Sequence, residues 1–210
     1  MARGPSSEAA AHELLLRLAG RLPDAQLWRF RDWLAGGALV VLARAVPRAL
    51  LHDRIAVTAA EHRLLADAFL PHGGDLGQVS SVPGLDELAD PDYTFTPESP
   101  DRVPMGDSAT VVLGATLRGR QGVGEVRSCW RLGGSGVREA RRIVLVGAAE
   151  EPSRLAGELQ RVLRALGEHE PCVEVVPPGI DLPPYHRAAL AASELVCTGA
   201  ADTEGHLVPG

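Results

Sequence analysis

One apolar stripe between two apolar strands constrains this chain more than any other feature. Leu155, Leu159, Val162, Leu163 and Leu166 recur at three- and four-residue steps, a spacing that gathers side chains on one face of an α-helix. Pro152 suits the first turn, where a missing N–H costs nothing, and Gly167 stops the helix. Upstream, Arg142 to Val146 is apolar on both faces, as an interior strand must be, and Cys172 to Val176 forms another strand downstream. Strand, helix and strand in this order make a βαβ unit, whose strands run parallel and whose crossover is right-handed.

The segments around this unit extend the sheet. Thr110 to Leu117 alternates, with Val111, Leu113, Ala115 and Leu117 on one side, and reads as a strand. Glu125 to Leu132 alternates too, with Val126, Trp130 and Leu132 inward and Arg127, Cys129 and Arg131 outward. The glycine-bearing stretch Arg118 to Gly124 between them predicts a hairpin turn. Prolines 177, 178, 183 and 184 bracket a loop that leads into a last helix, Tyr185 to Val196. Residues 108–199 therefore read as a small mixed sheet of ββ-βα-βα order, and residues 200–210 as a flexible tail.

Residues 1–70 have helical periodicity instead. Ala11, Leu14, Leu15, Leu18 and Leu22 form one stripe, and Leu27, Phe30 and Leu34 form a second after the break at Pro23-Asp24. Ala38 to Ala45 is apolar nearly all round, so it predicts a helix buried between its neighbours, which Pro47 must end or kink. Thr58-Ala-Ala-Glu61 has the capping-box spacing. Trp28 lies off the main stripe and is the candidate contact for docking on another surface. The fold class expected is α+β or α/β, a helical N-terminal subdomain followed by the mixed sheet. Between the two, residues 71–107 hold six prolines, five glycines and eight acidic residues, and read as an acidic connector. Within it Tyr93-Thr-Phe95-Thr alternates and suits a short edge strand or an anchor.

Composition removes whole classes of chemistry. All 21 basic residues are arginine, so a Schiff-base lysine and a Walker A lysine are both absent. The net charge of −6 opposes bulk attraction to nucleic acid or anionic membrane. Arg29, Arg31, Arg44, Arg48 and Arg54 raise the question of a helix-turn-helix, but no helix concentrates basic residues over its first turns. The start of the chain lacks a signal-peptide pattern, and its longest apolar run, Gly36 to Ala43, is far below the ~20 residues that span a bilayer. Cys129, Cys172 and Cys197 are odd in number and lack metal-finger spacing, which points to reduced thiols and a cytoplasmic location.

Local charge supplies the one binding hypothesis. Seven arginines lie between Arg118 and Arg142, and residues of equal strand parity share a face. Arg118, Arg120, Arg127 and Arg131 are thus candidates for gripping an anionic or nucleotide-like small molecule through bidentate guanidinium contacts. The acidic connector could equally cover them. Asp181, Tyr185 and His186 form a polar cluster at a helix entrance. Ser135 lacks the G-x-S-x-G spacing of a nucleophile elbow, and His169 with Cys172 lacks the remainder of a zinc set. No catalytic residue, metal site or cofactor is assigned, and whether the chain is an enzyme stays open. The expectation is a soluble protein in a non-enzymatic interaction or regulatory role, with a protein partner or a homo-oligomer. The alternative is a small-ligand enzyme or sensor using the arginine face.

Overall fold

The computed structural model describes residues 6–90, 92–99, 107–133 and 140–200. The chain divides into two compact units, Met1–Ala89 and Asp90–Gly210. Its class is α+β, with a helical N-terminal part ahead of a five-stranded mixed sheet. The tail residues 201–210, Ser135 and Arg138 lie outside the described residues.

The first unit contains α1 (Ser7–Arg17), α2 (Asp24–Ala35), α3 (Leu39–His52), α4 (Ala59–Phe69), a 3-10 turn (Leu70–His72) and α5 (Leu76–Ser81). Leu14, Leu15 and Leu18 of the first stripe are buried in its core, as are Leu34, Leu42, Leu50, Leu65 and Phe69 from the other helices. Each such side chain withdrawn from water stabilises the unit by about 1.5–3 kcal/mol. The capping box forms: the Glu61 N–H donates to Thr58 Oγ1 at 3.2 Å, and the Thr58 N–H to Glu61 Oε2 at 2.8 Å. Glu61 is fully buried, so its charge needs a partner. Arg21 supplies it, and also donates to the Ala56 carbonyl at 2.9 Å, tying α4 to the chain after α1.

One expectation for α3 needs correction. Of the two outcomes expected at Pro47, an end is excluded, since the helix runs through it to His52. Its apolar N-terminal half is not enclosed. Leu42, Ala43, Val46, Pro47 and Leu50 face α2, α4 and α5, whereas Val40 and Val41 are 54% and 48% exposed. Neighbours pack on one face of this helix only, so an all-round apolar sequence leaves valine in the open. Beyond α4, residues expected in the connector belong to this unit. Asp75 caps α5 by accepting the Gln78 N–H, and Val57 hydrogen-bonds with Pro83 and Leu85.

The second unit runs β1 (Tyr93–Thr96), α6 (Ser108–Leu117), β2 (Val123–Gly133), β3 (Arg141–Ala148), α7 (Pro152–Ala165), β4 (Cys172–Val176), α8 (Pro184–Ala191) and β5 (Glu194–Thr198). β2 pairs antiparallel with β3 on one side. On its other side it pairs with β1 along residues 130–133 and with β5 along residues 125–128. β3 and β4 are parallel, as the βαβ reading requires, and Tyr93–Thr96 is the edge strand its alternation suggests. One sheet face presents Val126, Val144, Val146, Val173 and Val175 to Leu113 and Leu117 of α6 and Leu155, Leu159 and Leu163 of α7. The opposite parity, including Cys129, Arg131, Ile143, Leu145 and Glu174, lies beneath α8. Cys129, expected to face outward, is therefore completely buried, and Trp130 is only half-buried.

The expected strand over 110–117 is a helix. Ala109, Leu113 and Leu117 fall at four-residue steps and are the buried residues, while Val111 is outside. Its start is fixed by Asp107, which accepts the Ala109 N–H at 3.2 Å and the Thr110 hydroxyl. Arg118 to Gly124 therefore joins a helix to a strand, with Gly119 and Gly122 at φ 69° and 72°, and the hairpin connects β2 to β3 instead. The last helix is shorter than expected, ending at Ala191 and giving way to β5. Gly199 lets β5 leave the sheet close to β2, since a Cβ there would sit 2.1 Å from the Val123 carbonyl oxygen.

Candidate functional site

The four candidate arginines do not form one surface. Arg120 faces Glu158 of α7 in a two-pronged pair, with Nη1–Oε1 2.6 Å and Nη2–Oε2 2.8 Å. The hydrogen bond from Arg120 holds the Glu158 carboxyl below its ordinary range, and the same contact raises the guanidinium. Arg127 and Arg131 do share a face, but it is the face under α8. Arg127 donates to Ser193 Oγ at 2.9 Å and to the Ser193 carbonyl at 3.1 Å, and pairs with Glu125 at 3.1 Å. Arg131 is 6% exposed, donates to Tyr185 Oη at 3.1 Å and lies 4.7 Å over the Tyr93 ring. Arg118 is exposed in the turn between α6 and β2.

The Asp181, Tyr185 and His186 cluster also separates. The Asp181 side chain is largely in solvent, 4.0 Å from Arg187, whereas Tyr185 and His186 point from α8 into the sheet. Burial pushes the Tyr185 phenol well above its ordinary range, and its ring is edge-on to both Tyr93 and Phe95. His186 meets Glu174 of β4, Nε2 to Oε2, at 2.9 Å, and both side chains are sealed from solvent. Nδ1 of His186 has no hydrogen-bond partner among the described residues. Assigning the N–H to Nε2 leaves an unpartnered lone pair there, the less costly arrangement. Burial likewise pushes the Cys129 thiol up to about 12. These groups lock α8 to the sheet, and their burial separates them from any solute.

Sequence reasoning left Arg142 and Glu174 off the candidate list. Arg142 donates to both Asp107 oxygens, Nη1–Oδ2 2.6 Å and Nη2–Oδ1 2.8 Å, and from Nε to Glu168 at 2.9 Å, while stacking 4.5 Å over Trp130. It thereby joins the start of α6 to the chain after α7. Burial works to raise Asp107, but hydrogen bonds from Thr110 and Arg142 outweigh it and leave the carboxyl below its ordinary range. At Glu168 burial wins over Arg142 and the carboxyl is raised. Arg142 was visible as one charge in a run, but its partners lie 35 and 26 residues away.

In the first unit, Trp28 is half-buried on α2, and Arg31 is buried and donates to the Leu15 carbonyl at 3.3 Å. α3 carries an exposed stripe of mixed apolar and cationic residues. Val40, Arg44 and Arg48 follow one another at four-residue steps with Val41 beside them, and all four are exposed. Neither Arg44 nor Arg48 has an ion-pair partner among the described residues. A search at four-residue spacing would have found this stripe, but the apolar reading of 38–45 masked it.

No group of three His, Cys, Asp or Glu that could hold a metal occurs among the described residues, and no helix among them is long and apolar enough to cross a membrane. No family model, curated protein or solved structure matches the chain.

Proposed function

We propose that the protein has a non-enzymatic interaction or regulatory role in which the helical unit engages a protein partner. One observation carries this reading: α3 holds Val40 and Val41 in solvent at 54% and 48% exposure, beside arginines with no carboxylate partner among the described residues. Single exposed apolar residues are ordinary, and what favours a partner here is that the apolar pair continues into a row of arginines on the same helix face. A small-ligand reading of the sheet arginines is supported less well. An anion there would have to displace Glu158 from Arg120, Ser193 from Arg127 and Tyr185 from Arg131. A cytoplasmic location belongs to the same proposal, and the free, buried Cys129, Cys172 and Cys197 suit a reducing compartment.

In-cell crosslinking with mass-spectrometric readout tests the proposal. A defined protein should be linked through residues of the helical unit. If nothing is linked above an untagged control, the interaction reading fails. Light scattering across micromolar concentrations reads self-association separately.

A further inference from the structure

The chemistry of the α3 stripe narrows the kind of partner. On a helix with 100° between residues, Val40, Arg44, Arg48 and Val41 occupy an arc of about 100°, opposite the buried Leu42, Val46 and Leu50. Along the axis Arg44 stands about 6 Å and Arg48 about 12 Å beyond Val40, at 1.5 Å per residue. The stripe is thus apolar at the N-terminal end of α3 and cationic over the next two turns. It contains no carboxylate. Guanidinium forks without an internal acceptor match carboxylates better than any other protein group.

We propose that this stripe seats an acidic amphipathic segment of a partner protein, with apolar residues covering Val40 and Val41 and carboxylates pairing with Arg44 and Arg48. The inference rests on the interaction reading above and names the partner class for the same surface. A helical segment meets the geometry if its carboxylates lie one and two turns from its apolar pair, because i+4 and i+8 reproduce the 6 Å steps.

Two other occupants fit less well. A second copy docked through the same stripe would place guanidinium groups of one chain against those of the other, since a two-fold interface sets a patch against itself. An anionic bilayer would be held by two valines and two arginines, without the Trp, Phe or Leu anchors of interfacial helices, against a net charge of −6.

A library of random 14-residue peptides displayed on phage, selected on the full chain, tests the proposal. Enriched peptides should combine an apolar pair with two Asp or Glu residues one and two turns away. By fluorescence anisotropy, the Arg44→Glu/Arg48→Glu and Val40→Asp/Val41→Asp variants should each weaken binding at least tenfold. A peptide with arginine in place of its acids should prefer the charge-reversed variant. All four positions are exposed, so both variants should keep the wild-type circular dichroism and melting temperature. Enrichment of peptides without acids, binding unaffected by either variant, or no enrichment overturns the proposal. So does binding to phosphatidylserine vesicles, or a dimer in light scattering, that is lost with Arg44→Glu/Arg48→Glu, since each gives the stripe another occupant. A crosslinked protein partner that is indifferent to Arg44 and Arg48 would leave the interaction reading standing and remove only this one.

Discussion

Replacing Arg142 with methionine should show how much of the sheet unit depends on one guanidinium. Methionine keeps an unbranched stem over Trp130 but removes three hydrogen bonds to carboxylates, two to Asp107 and one to Glu168, and a longer one to the Thr110 hydroxyl. Removing one member of a fully buried pair costs about 3–5 kcal/mol, and an exposed pair is worth about 0.2–1 kcal/mol. The Arg142 side chain is 7% exposed, but Asp107 and Glu168 are 40% and 26% exposed, so water can resolvate the abandoned carboxylates. The expected loss is therefore intermediate, about 2–3 kcal/mol, or about 8–12 °C at roughly 4 °C per kcal/mol for a unit of this size. Urea denaturation followed by fluorescence in a Trp28→Phe/Trp33→Phe background, where Trp130 is the one remaining tryptophan, measures it, and Asp107→Asn completes a double-mutant cycle with a coupling of about 1–2 kcal/mol. The pH dependence has a definite sign. Asp107 is lowered in the fold, so its stabilising contribution is present above the unfolded carboxyl range and lost as pH falls through its folded value. Glu168 is raised, so its protonation on acidification acts in the opposite direction. Arg142 attracts both only while they are ionised, and the difference between wild type and variant should be greatest near neutrality. A loss under about 0.5 kcal/mol, or no coupling to Asp107, would refute the clamp.

Other predictions follow the same logic of burial. Glu174→Ala should cost about 1–3 kcal/mol because it leaves the His186 Nε2 N–H buried without an acceptor, whereas Glu174→Leu with His186→Phe should recover most of the loss; equal denaturation midpoints for the two would count against the pair. Cys129 is raised in the fold from 9.0 to about 12, so its stabilising contribution is complete below pH 9 and is lost as pH rises towards 12. Cys129→Ala should flatten the alkaline stability profile over that interval, and an unchanged slope would contradict the assignment. Native protein should accordingly leave Cys129 unreacted with a thiol reagent at pH 8 until denaturant is added. Glu158→Gln should cost under about 1 kcal/mol and less in high salt, since the pair with Arg120 is 36% and 40% exposed; a larger, salt-independent loss would show a deeper role.

The parts of the fold that were legible are those whose signal is local. The stripe of α7, the run of β3 and the Thr58 to Glu61 capping box each carry their instruction within one segment, and each forms, with Leu155, Leu159 and Leu163 buried, though Leu166 at the end of the stripe is exposed. Thr110 to Leu117 was misread because a segment apolar all round satisfies alternation as well as helical spacing. Asp107 decided for helix, by capping from within the presumed connector and by meeting Arg142. The end of α8 was missed because Ala191, Ala192 and Ser193 contain neither glycine nor proline to mark a break. The parity of Arg127 and Arg131 was readable, but not the helix that covers them, because Tyr185 and Ser193 lie 54 and 66 residues further on.

The same geometry separates the arginines held inside the fold from Arg44 and Arg48. In a chain without lysine, every side-chain cation that is not histidine is a planar fork able to hold two acceptors at once. The sheet unit uses that property internally: Arg142 spans Asp107 and Glu168, Arg127 spans Glu125 and Ser193, and Arg120 grips both oxygens of Glu158. In the helical unit, Arg21 and Arg31 satisfy Glu61 and the Leu15 carbonyl in the same way. Arg44 and Arg48 differ because α3 turns them away from every described acceptor while its neighbours occupy the face beyond. A fork held in water loses little by staying unpaired, so their exposure alone would decide nothing. Their position carries the proposal: they continue a helix face that begins with two exposed valines, and the proposed acidic amphipathic segment would satisfy both halves together.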